Sequence, residues 1–194
     1  LSLAPAILVL MTSFTRIIII LSFVRTSLAT QQMPPNQVLI GLSLFLTFFI
    51  MAPVFGDINH DAVQPFLKGD ISQQQAFDKA EVPMKKFMSE HTRQKDLQLF
   101  LNYGGYDKPK MIDDIPMTAL VPAFTISELK TAFQIGFMIY VPFLVIDMVV
   151  ASVLMAMGML MLPPVMISLP FKILLFVLVD GWYLVVKSIL LSYH

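Results

Sequence analysis

Apolar positions in this chain cluster in blocks far longer than one face of an ordinary helix. Residues 3–24 are apolar apart from a few hydroxyl side chains and Arg16, and residues 38–55 carry no charge at all. Each block is close to the ~20 residues a helix needs to cross a bilayer core. Between them Gln31, Gln32, Met33, Pro34, Pro35 and Asn36 predict a turn, because Pro fixes φ and sits poorly inside a helix. Residues 1–55 therefore read as a helical hairpin. Residues 56–121 form a polar insert with helical periodicity. Ser72 and Gln75 have the spacing of a capping box. Ala76, Phe77, Ala80, Met84, Phe87 and Met88 then recur on one helical face, with a bend predicted at Pro83. Leu97, Phe100 and Leu101 continue an apolar face, Gly104-Gly105 is a helix stop, and 107–116 predicts a loop. Thr125 and Glu128 have the spacing of a second capping box, opening a helix into a third apolar block at 131–162, interrupted by Pro142 and Asp147. A fourth block, 171–191, carries Lys172, Asp180 and Lys187, and residues 162–170, with three prolines, separate the two. Residues 122–194 thus predict a second hairpin, and the fold class is all-α.

Composition sharpens this picture. The chain is 57% hydrophobic and only 13% charged, where a soluble domain is about a quarter charged. Mean hydropathy is +0.76. Such a chain is a membrane protein or a subunit built for burial in a membrane-associated oligomeric assembly. Eighteen of the 26 Asp, Glu, Lys and Arg residues fall between Asp57 and Asp114, inside the insert. Net charge is zero and no basic block occurs, which excludes nucleic acid as a partner. Without cysteine there is neither a disulfide framework nor a thiolate metal site. The chain begins at Leu1, which leaves room for a signal peptide or extension ahead of it. If all four blocks cross a bilayer, the termini and the insert share one side. Arg25 and Lys172 border the two short loops and favour those loops as cytoplasmic, which turns the insert outward, to the periplasmic side.

The methionines give the first candidate site. Met155, Met157, Met159 and Met161 lie two residues apart around Gly158, with Pro163-Pro164 behind. Side chains two apart on a helix point about 200° from each other, so these four make no single helical stripe. Gly and double Pro predict irregular backbone, which survives in an apolar environment only when buried in protein or lining a cavity. Long, polarizable side chains there make a deformable seal, a gate, with Met159 and Met161 best placed to face its axis. Two other readings stay open: ordinary packing at a helix interface, and thioether ligation of Cu(I).

Arg16, Asp147 and Asp180 are charges inside apolar blocks, each costing roughly 2.5–3.5 kcal/mol at a helix centre unless partnered. They read as interhelical ion pairs, or as members of a proton or ion relay. The histidines give a relay little support, since His60 and His91 fall in the insert and His194 is the last residue. Glu128 either caps its own helix through Thr125 or pairs with Lys172. In a hairpin these two positions lie roughly 30 Å apart at 1.5 Å per residue, so the pair is predicted to form between subunits. No nucleophile–base arrangement, phosphate-cradling glycine loop or metal-ligand spacing is present, so neither an enzyme nor a cofactor is expected.

Several long runs resemble one family. PAFTISELKTAFQIGF (122–137) is similar to the signature of the FliP family of flagellar biosynthetic proteins, a type III secretion export-gate family that includes injectisome homologues. FTRIIIILSFVR (14–25), MPPNQVLIGL (33–42), VIDMVVASVLM (145–155) and LPFKILLFVLVDGW (169–182) resemble it too, in the family's order. The resemblance implies a core subunit of the flagellar export gate in the bacterial inner membrane and basal body. It implies assembly with further copies of itself, with FliQ and FliR and with other export-apparatus membrane proteins, around a passage for unfolded flagellar proteins. Residues 155–161 match the family's constricting methionine loop by position. The resemblance also implies that the apolar helices pack into a tapering assembly rather than each crossing the bilayer. The rival reading is a small ion or Cu(I) transporter using the same methionines, with Asp147 or Asp180 as relay.

Overall fold

The computed structural model describes residues 4–30, 32–107, 109, 111–159 and 161–193. Among these the chain is helical with no strand. It is all-α, as the periodicity predicts, with α1 at Ala4–Met11, α2 at Phe14–Ser27 and α3 at Asn36–Ile58. A π-helical turn, Asn59–Val63, leads into α4, Gln64–Lys68. Then follow α5 at Gln73–His91, α6 at Gln94–Tyr103, α7 at Met117–Ala156, α8 at Pro164–Leu178 and α9 at Gly181–Leu191.

The first apolar block is not one helix. It breaks at Thr12-Ser13, where the Thr12 hydroxyl bonds the Leu8 carbonyl and accepts the Phe14 N–H at 3.3 Å. Hydroxyl side chains compete in this way with the helical ladder, a signal that hydropathy does not carry. The turn before α3 forms as predicted, with Ala29 at φ 55° and the Arg25 guanidinium bonded to Asn36 Oδ1; Gln31 lies outside the described residues. α3 does not stop where the polar insert begins. The helical path runs on to Lys68 and ends at Gly69, whose φ of 79° suits glycine.

Within the insert, the Ser72–Gln75 capping box forms with both reciprocal bonds, 3.3 Å and 2.9 Å. α5 passes through Pro83 and buries Met84, Phe87 and Met88. Phe77, predicted on the same face, is 64% exposed. Gly104-Gly105 ends α6, and Gly105 takes φ 67°.

The second half departs from expectation at several points. Thr125 and Glu128 do not open a helix: α7 starts eight residues earlier, behind Pro116, and Thr125 bonds the Val121 carbonyl at 2.9 Å in mid-helix. Pro142 and Asp147 do not interrupt α7, which runs 40 residues. A helix break there would strand backbone groups without water, a larger cost than one missing N–H. The three-proline linker is also mostly helix. Pro163 precedes α8, Pro164 takes its first position, where no N–H is needed, and Pro170 lies inside it. The fourth block breaks instead at Val179-Asp180, with α8 and α9 bent by 64°.

The chain forms two compact units, 1–16 with 44–131 and 17–43 with 132–194. These cut across the division by composition, because α2, α3 and α7 each contribute to both. In the first unit Phe87 meets Phe124 edge-on at 5.9 Å within a core that includes Met51, Met88 and Leu120. In the second Phe23 packs on Phe133 at 5.4 Å and against Gly136, where a Cβ would come within 2.5 Å of the ring.

Candidate functional site

The methionine segment begins where α7 ends. Gly158, at φ 74°, closes the helix: its N–H bonds Met155 O at 3.0 Å, and the Met159 N–H bonds Leu154 O at 3.0 Å. This is a Schellman cap, in which a left-handed glycine satisfies the last carbonyls. Pro163 and Pro164 then restart the chain as α8. Between cap and prolines the described residues, Met159, Met161 and Leu162, are not helical. Met155 (59% exposed), Met157 (61%) and Met161 (98%) project from the chain, and Met159 (37%) less so. Leu160 lies outside the described residues.

The charges in the apolar helices are mostly paired within the chain. Arg16 Nε donates to Glu128 Oε2 at 2.8 Å and Nη2 to Oε1, a bidentate pair at 3% and 0% exposure. Lys172 Nζ donates to Asp147 Oδ2 at 2.6 Å, and Ser168 donates to Asp147 Oδ1 at 2.5 Å. Lys172 is 2% exposed and Asp147 20%, so these two bonds tie α8 to α7 across the base of the methionine loop. Glu128 and Lys172, predicted as partners across a subunit boundary, thus each have another partner inside the chain. Asp180, predicted as a buried charge, is exposed, and φ 52° places it in the left-handed region at the start of α9. His60 sits on the surface, 2.7 Å from Asp61, and His91 is half-buried with Nδ1 2.8 Å from the Phe87 carbonyl; His194 lies outside the described residues.

One cluster escaped the sequence patterns. Ser127 accepts the Arg93 N–H at 3.0 Å and donates to Asp96 Oδ2 at 2.7 Å, while Arg93 Nη2 reaches the same oxygen at 2.5 Å. These bonds dock the start of α6 on α7. Burial pushes the Asp96 carboxyl up, but the Ser127 hydroxyl and the Arg93 guanidinium outweigh it and hold the pKa below the ordinary 3.8. The only signal in the sequence was an acid in the first turn of a helix.

The apolar surface of α3, α7 and α8 remains open. The most apolar stretches of the Asn36–Lys68 and Met117–Ala156 helices are only 22% and 11% buried, and both helices are long and apolar enough to cross a membrane. Phe45, Phe49, Met138 and Leu178 are each at least 70% exposed, far beyond what a soluble monomer leaves open. Helices this apolar and this uncovered define a membrane-associated protein.

The sequence narrows that class to one family. The pattern of the FliP family matches residues 1–189, and the chain belongs to that family. It is 73% identical to the flagellar biosynthetic protein FliP of Bacillus subtilis (strain 168), an alignment covering 99% of this chain and 87% of that one. It is 51% identical to the FliP of Aquifex aeolicus (strain VF5), over 100% and 82% of the two chains. The FliP of Pectobacterium carotovorum subsp. carotovorum is 53% identical, over 98% and 74%.

Proposed function

We propose that this chain is a core subunit of the flagellar protein export gate and that copies of it, with FliQ, FliR and other export-apparatus membrane proteins, surround a channel for unfolded flagellar proteins. The gate lies at the inner membrane within the basal body, with the polar insert on the periplasmic side. The observation that carries this reading is the methionine loop itself: a glycine-capped helix end and a double proline hold long, flexible, apolar side chains away from the body of the chain. Repeated around an axis, such loops close a hydrophobic ring that excludes ions yet deforms around passing side chains. The work is passive, and energy comes from partners.

The test is ion conductance in cells carrying the assembled gate. Replacing Met159 and Met161 by Ala shortens the side chains and opens gaps, so leakage rises while export continues. Val in their place fills part of the space but is stiff at χ1, so export falls more than sealing. Ala variants that assemble normally and leak no more than the parent would make these methionines packing residues.

A further inference from the structure

Ion pairs within the chain neutralise Arg16 with Glu128 and Asp147 with Lys172. Asp180 and Lys187 are different. Both lie in the apolar C-terminal region, both are exposed, and among the described residues neither makes an ion pair. Among the described residues the Lys187 ammonium lies over the Tyr183 ring, 5.8 Å from its centre. The two residues carry opposite charge, Asp180 at the N-cap of α9 and Lys187 within the helix. Seven positions separate them, two turns or roughly 10 Å along the axis. They therefore stand too far apart along the chain's path to neutralise each other.

We propose that Asp180 of one copy of this chain pairs with Lys187 of an adjacent copy, so that α9 forms an interface between copies; this rests on the reading of the chain as a subunit of an assembly. One helix carries both halves of the pair in equal number, so a series of copies satisfies every internal charge without a second kind of partner. Around the pair, Tyr183, Leu184 and Leu191 are 59%, 47% and 60% exposed, and these supply the apolar burial that a charge pair alone cannot. The opposite face, with Val185 and Ile189, is already buried in the chain. Asp180 is held in place for the contact. Gly181 packs so closely on Phe176 that a Cβ would lie 2.3 Å from the ring, and Trp182 meets the same ring edge-on at 5.3 Å. The backbone that carries Asp180 is thus fixed at the bend, while the flexible lysine adjusts to meet the carboxylate.

The chain has no cysteine, so introduced thiols report on this contact alone. The test oxidises the full chain carrying Asp180→Cys and Lys187→Cys in its membrane complex, after the size of the complex has been compared with the parent. A ladder of disulfide-linked multimers is expected, because two positions roughly 10 Å apart on one helix cannot bridge within a chain. The single-cysteine variants give no ladder. In a second arm D180K and K187D are each expressed alone, where most of the assembled complex is lost, and then together, where alternating copies restore the pair and the complex returns. A complex of parental size without a ladder overturns the proposal, as does failure of the mixed copies to assemble. A parent chain that never self-associates sinks the gate reading instead, so the two failures are distinguishable.

Discussion

Arg16 and Glu128 are almost wholly removed from solvent, at 3% and 0% exposure, so each depends on the other for neutrality. Replacing Glu128 by Gln keeps the volume and one acceptor but leaves a buried guanidinium without its counter-charge, at a cost of about 3–5 kcal/mol. The expected result is a lowered midpoint of thermal unfolding in detergent. The double change Arg16→Met with Glu128→Leu loses less than Glu128→Gln alone, because it removes both charges together. If the double variant is the less stable of the two, the pair contributes through specific bonds rather than by cancelling charge. The sequence showed that Arg16 needed a partner but not which one: pairing is set by where α2 and α7 meet, 112 residues apart in the chain.

Among the elements, α8 and α9 depend on a small residue at their junction. A Cβ on Gly181 would lie 2.3 Å from the Phe176 ring, too close for any real contact. Gly181→Ala is expected to force the ring out of its place and to destabilise by about 1–3 kcal/mol, as overpacking does. Adding Phe176→Leu makes room and returns part of the loss, measured by the same thermal unfolding. Helix existence was legible from period and length, and so was the Ser72 cap, because these signals are local. The breaks were not. Pro142 and Pro170 read as interruptions but lie inside helices, whereas the breaks at Thr12-Ser13 and Val179-Asp180 come from a hydroxyl bond and from packing around Phe176. A proline's local penalty is fixed, while the penalty for opening a helix depends on what surrounds it.

At the scale of the whole molecule, the polar insert is fastened to α7 through Asp96, and that fastening has a pH limit. The carboxyl is held below 3.8 in the fold, so its contribution is full above that value and is lost as pH falls through the lowered one. Protection against hydrogen exchange in α6 and at 117–127, relative to the free amide at the same pH, should therefore fall below about pH 4, whereas an Asp96→Asn variant is less protected at neutral pH but changes less with acid. Equal acid sensitivity in the two proteins would assign the transition to other carboxylates. Composition marked the insert as a separate polar block, yet its core is completed by Ala123 and Phe124, which lie past its predicted end. The methionine loop was legible because Gly158 and the double proline act through the backbone. The Asp96 cluster was not, because it is made by tertiary approach.

The 112 residues between Arg16 and Glu128 are also an interval of time. At about 5–20 residues per second, the guanidinium leaves the ribosome roughly 6–22 s before its counter-ion exists. Throughout that interval Arg16 lacks the counter-charge it has in the fold. Its final placement therefore waits for the start of α7, so α2 reaches its final place only after a segment far beyond it in the chain has been made.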